Sequence, residues 1–122
     1  EGEDISIITY GSGVHWATEL AESMEASIEV LDLRTLQPLD YEAIDQTVKK
    51  TNRVLLLHED TMFGGLAGEI SAYISENLFE HLDAPIVRCA SLDIPVPFNK
   101  KLEETFLAKN RLAKQVEYLL DY

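Results

Sequence analysis

The sequence predicts an α/β domain, a three-layer α/β/α sandwich in which helices cover both faces of a mostly parallel four-stranded sheet. Two observations predict it. Four apolar, β-branched runs stand out along the chain, and between them lie segments whose apolar residues recur at three- and four-residue spacing. Strict alternation of this kind calls for right-handed crossovers and places helices on both sides of the sheet.

The strand candidates are Ile5 to Tyr10, Ile28 to Leu33, Arg53 to His58 and Pro85 to Ala90. Their near-continuous Ile, Val and Leu suits strands buried on both faces. Val14, Ala17, Leu20, Ala21 and Met24 share one helical face after the first run. After the second, Leu39, Asp40 and Ile44 fit a hydrophobic staple around an N-cap, Lys49 and Lys50 occupy a last turn, and Asn52 supplies a left-handed stop. These signals predict a helix from Tyr41 to Thr51. Leu66, Ile70, Tyr73, Ile74 and Leu78 predict the next helix, which opens after Gly64-Gly65. A turn through Pro95 and Pro97 follows the fourth run, and Leu112, Val116, Leu119 and Leu120 mark a final amphipathic helix.

At 122 residues the chain is expected to form one domain over its whole length, residues 1–122, and its first residue, Glu1 rather than Met, suggests a piece of something larger. The longest aliphatic run, Val54 to Leu57, is too short to span a bilayer. The single cysteine, Cys89, has no internal partner, so a reducing, cytoplasmic setting is the simplest expectation. With 22 acidic and 10 basic residues the formal charge is −12, which repels nucleic-acid backbones and anionic membranes and attracts a basic protein partner. His15 and His81 are isolated and read as surface or packing groups, and no spacing of metal ligands occurs.

Two glycine clusters invite a ligand reading. Gly11 and Gly13 follow the first strand, and Asp32 closes the second, which resembles a dinucleotide fingerprint. The third small position of that motif, however, holds Trp16, with Ala17 one place late. The other cluster, Gly64, Gly65 and Gly68, lies beside His58, Glu59 and Asp60 at the end of the third strand, where open sheets bind ligands. His58 and Glu59 could serve as acid and base, and the helix start at Gly64 and Gly65 could hold an anion. Against this, Glu59 and Asp60 would repel an anion, and no third converging group is visible. The competing reading makes His58 and Glu59 braces for loops and the glycines aids to close packing.

One family gathers these segments in order. Thr9-Tyr10-Gly11-Ser12-Gly13, Glu29 through Asp40, Lys49 through Arg53, His58-Glu59-Asp60, Phe63-Gly64-Gly65, Leu82-Asp83-Ala84-Pro85 and Pro95-Val96-Pro97-Phe98 resemble the C-terminal domain of the beta subunits of thiamine-diphosphate-dependent 2-oxoacid dehydrogenases, the domain shared with transketolases. Cys89 stands where that family commonly has Val, Ser91 where it commonly has Gly, and an antiparallel strand that precedes the domain in the family is missing. The last difference leaves a sheet edge open to pairing. Together with the alternation, the resemblance implies the strand order 2-1-3-4.

What the resemblance implies for function is a role in assembly. The parent enzyme would use thiamine diphosphate and magnesium to decarboxylate pyruvate or a branched 2-oxoacid such as 2-oxoisovalerate and pass the acyl group to a lipoyl arm. In the family the cofactor lies between the alpha part and the N-terminal domain of the beta part. No catalytic or cofactor residue is therefore carried onto this chain, which is expected to be inactive and to bind neither cofactor by itself. Its implied partners are the alpha part, the N-terminal domain of the beta part, a second beta copy, and the basic subunit-binding domain of the lipoyl acyltransferase. Asp83, and Tyr122 if it ends the native chain, would meet that basic domain; otherwise Asp83 is a turn residue before Pro85. The parent would work in the cytoplasm, or in the mitochondrial matrix of a eukaryote. The alternative from another class is an autonomous nucleotide- or anion-binding Rossmann-like domain.

Overall fold

Strands β1 (Ile5–Thr9), β2 (Ile28–Asp32), β3 (Val54–Thr61) and β4 (Val87–Ser91) alternate with α1 (Ser12–Ser23), α2 (Tyr41–Thr51) and α3 (Leu66–Asn77), and α4 (Lys100–Phe106) and α5 (Lys109–Asp121) close the chain. This is a computed structural model, and it describes all 122 residues. The four strands are all parallel, in the order β2-β1-β3-β4. Ile7 is paired with Val30 on one side and Leu55 on the other, and Leu57 with Cys89.

The continuous apolar runs arise because the sheet is covered twice. Ile5, Ile7, Leu55, Leu57 and Cys89 point to one face, where Ala17 of α1 and Leu112, Val116 and Leu119 of α5 meet them. Ile8, Val54 and Leu56 point to the other, against Ile44 and Val48 of α2 and Ile70 and Ile74 of α3. Each such fully buried Leu or Ile contributes roughly 1.5–3 kcal/mol relative to exposure. Ser6 is one of the polar groups that interrupt the second face. The Ser6 hydroxyl is buried but bonds Thr51 Oγ1 at 2.7 Å and the Thr47 carbonyl at 3.2 Å, so its burial is compensated.

Helix α2 has the bounds its local signals predict. Asp40 Oδ1 accepts from the Ala43 N–H at 3.0 Å, Leu39 and Ile44 pack in the same core, and Asn52 takes φ 58° to stop the helix. Other boundaries move. β3 runs three residues beyond His58 because its register slips after Leu57, so that Thr61 rather than Glu59 finds Ser91 of β4. β4 begins at Val87, past Pro85, which has no N–H to give a ladder. The short α4 has no counterpart in the periodicity, since Phe106 is its one buried residue; it starts where Asn99 Oδ1 accepts from the Lys101 N–H at 3.0 Å. Arg111 then ties α5 to the end of β4, donating from Nη2 to the Ala90 carbonyl at 2.6 Å.

Candidate functional site

The turn after β1 is filled by the protein itself. A Cβ on Gly13 would collide with Thr9 Oγ1 and stand 3.3 Å from Leu57 Cγ, so the missing side chain lets α1 close on the sheet instead of admitting a pyrophosphate. Trp16 packs against the core under α1, and Asp32 faces Arg34 Nε at 3.3 Å. None of these groups is poised for a nucleotide.

At the end of β3, His58 is 1% exposed. Its Nδ1–H donates to the Asp60 carbonyl at 3.1 Å, and Nε2 is covered and has no partner. A Cβ on Gly65 would lie 2.5 Å from His58 Cε1 and 2.6 Å from both Nε2 and the Thr61 carbonyl. Gly64 turns the chain with φ 73° so that Gly65 can cover the ring in this way. Burial holds the imidazole below its usual pKa, although the Asp60 carbonyl and carboxylate pull the other way. A ring whose free nitrogen is sealed under a glycine can pack and orient a turn, but it has no route to a substrate proton.

That turn carries Glu59 and Asp60 outward. With Tyr10, Thr61, Val96, Glu103, Phe106 and Leu107 they line a hollow of about 450 Å³ at the carboxyl end of the sheet. Partial burial raises the Tyr10 phenol, and the negative charges of Asp60 and Glu59 add to the effect. The sequence places Tyr10 at the end of the first strand and Glu103 among the segments that carry the family resemblance, with no site role for either. Only the fold brings them to Glu59 and Asp60.

A second hollow, also about 450 Å³, lies at the amino end of the sheet, where α3 ends, β4 begins and α5 finishes. Asp83 and Tyr122, far apart in sequence, both line it, with Phe79, Leu82, Pro85 and Ile86. The Asp83 backbone N–H donates to the Asn52 carbonyl at 2.9 Å, and Asn52 in turn donates from Nδ2 to the His81 carbonyl at 2.7 Å. The turn is thus held from the backbone. The Asp83 carboxylate takes part in none of the hydrogen bonds or ion pairs within the chain.

Cys89 lies in the core with its thiol pushed up to about 11 by burial, which rules out a thiolate at neutral pH. No three His, Cys, Asp or Glu side chains converge as metal ligands would, and no helix is long and apolar enough to cross a membrane.

The transketolase C-terminal domain family matches residues 1–111, and the chain belongs to that family. Within it, the chain is 48% identical over 111 residues to the 2-oxoisovalerate dehydrogenase subunit beta of Bacillus subtilis (strain 168), covering 88% of this chain and 34% of that protein. It is 46% identical over 107 residues to the pyruvate dehydrogenase E1 component subunit beta of Porphyra purpurea, covering 85% of this chain and 32% of that one. Among solved structures, a split-gene transketolase described as an inactive beta4 tetramer superposes with TM-score 0.82 at 26% identity, over 99% of this chain and 39% of that chain. The chain thus spans about a third of the length of the curated relatives it matches.

Proposed function

We propose that this chain is the assembly domain of a 2-oxoacid dehydrogenase, docking the basic subunit-binding domain of a lipoyl acyltransferase through Asp83 and Tyr122. The parent enzyme would decarboxylate pyruvate or a branched 2-oxoacid in the cytoplasm or the mitochondrial matrix, with this domain packed against a second beta copy. The observation that carries the reading is that Asp83 and Tyr122 share one groove on a chain of formal charge −12, with the Asp83 carboxylate unused inside the fold. An unspent carboxylate beside an apolar wall suits a lysine or arginine, whose stem can lie on Phe79 and Ile86 while its head meets the charge.

Thiamine diphosphate and magnesium, which the resemblance implies for the parent, have no fitting residues here. Gly13 stands against Thr9 with no space for a phosphate, and the carboxylates do not converge on a point. No chemical step is therefore assigned to these residues.

The test is Asp83→Ala in the intact enzyme. If the carboxylate is buried on docking, affinity for the acyltransferase's binding domain, measured by calorimetry, should fall by about 2–5 kcal/mol, and by less if it stays at the rim. Decarboxylation with an artificial acceptor should be unchanged. Equal affinity of variant and parent at low salt would remove the docking role.

A further inference from the structure

We infer that the carboxyl end of the sheet is a second docking surface, which takes a polypeptide segment carrying lysine or arginine among apolar side chains, from a chain other than a second copy of this one. Large apolar side chains crowd this end without cover. Phe98 is 108% exposed, Phe63 87% and Val96 59%. They belong to one surface, because the Phe63 N–H donates to Asp93 Oδ1 at 2.8 Å and the Met62 N–H to the Ser91 carbonyl at 3.2 Å, stitching the turn after β3 to the turn after β4. Exposed aromatics gathered in this way mark an interaction site.

The hollow beside them specifies the occupant. Its walls are Val96, Phe106 and Leu107, and its carboxylates are Glu59, Asp60 and Glu103. These three form no ion pair within the chain, so their charge is open to a partner. A lysine or arginine stem fits the apolar walls while its head reaches the acids. A second copy meeting this end face to face would set the same three carboxylates against one another, so self-pairing here is opposed. An anionic membrane is repelled for the same reason.

The probe is a short amphipathic peptide of leucine and lysine, titrated into the chain, with a leucine–glutamate peptide as its counterpart. Amide shifts on the parent chain should cluster at Tyr10, Thr61, Val96 and Glu103, and the glutamate peptide should leave them unmoved. The triple variant Glu59→Gln, Asp60→Asn, Glu103→Gln should lose on the order of tenfold in affinity. Phe98→Ser, exposed and so without consequence for folding, should weaken binding independently, and Asp83→Asn should not. The inference is overturned by shifts that cluster at the Asp83 groove, by equal affinity for parent and triple variant, or by self-association of the chain that Phe98→Ser abolishes. Each of these readings is separate from acyltransferase docking, which rests on Asp83.

Discussion

The two hollows have the same volume, about 450 Å³, but depend on the fold in opposite ways. At the amino end, Asp83 is delivered by a turn held through backbone bonds to Asn52, and its side chain contributes nothing to that turn. At the carboxyl end, Glu59 and Asp60 ride on a turn whose geometry is set by a buried histidine, a glycine that covers it, and the hydroxyl of Ser91, which donates to the Glu59 carbonyl. A charge can therefore be removed from the first hollow without touching the scaffold, whereas the second is inseparable from the packing beneath it. Surfaces of the first kind are free to change with a partner; those of the second kind are constrained twice.

The largest effect should come from Gly65→Ala. The added methyl meets the His58 ring at 2.5 Å and the Thr61 carbonyl at 2.6 Å, and neither can retreat, since the ring is buried and the carbonyl is backbone. Overpacking of this sort costs about 1–3 kcal/mol. Urea denaturation should show that loss, and amide shifts should change around Glu59 to Thr61 while those around Asp83 stay in place. A variant as stable as the parent would mean that the turn is not tied to His58 and would break the contrast.

The second effect is a pH dependence confined to the same end. His58 is packed by Tyr10, just after β1, by Asp60 and Glu59 on its own turn and by Gly65 just before α3, with Arg88 of β4 opposing a second positive charge. Because burial lowers its folded-state pKa, the unfolded chain takes up the proton first. Stability is thus fully present above the ordinary histidine value of about 6.5 and falls as the pH drops below it toward the folded-state value, where the loss levels off. Denaturation across this range should show the slope, and His58→Gln should flatten it. Carboxylates held low by partners, such as Glu29, act in a more acidic window and leave this one clear.

The contrast also explains what was legible in the sequence. Helix α2 could be bounded to the residue because every signal for it is local: Leu39 and Asp40 before it, Lys49 and Lys50 in its last turn, Asn52 after it. Strand order was readable with the family resemblance, and the apolar runs announced a sheet covered on both faces. The extension of β3 was not, because it follows from a register slip against Ser91, thirty-odd residues on. Nor was α4, whose one buried residue, Phe106, leaves no periodic stripe. Asp83 and Tyr122 were named from the resemblance, but the wall of Phe79 and Ile86 beside them is a tertiary product. The acidic hollow draws on four separate segments, and a one-dimensional pattern carries no sign that Tyr10 and Glu103 will meet.

The smallest expected effect sharpens the comparison most. Asp83→Asn keeps the shape of the side chain and removes its charge, and the native carboxylate is exposed and takes no hydrogen bond within the chain. The backbone bond from Asp83 to the Asn52 carbonyl survives the substitution, so the turn before Pro85 should be unaltered. Exposed changes that disturb no cap, pair or packing usually fall within about 0.5 kcal/mol of zero. Removing one negative charge from a chain of formal charge −12 relieves a little self-repulsion, which argues for a change that is slightly stabilising if it is resolved at all. Paired urea titrations of parent and variant at low salt measure it. A loss above about 1 kcal/mol would show that the Asp83 carboxylate has a structural task in the turn, as aspartates before turns often do, and would return it from docking surface to scaffold.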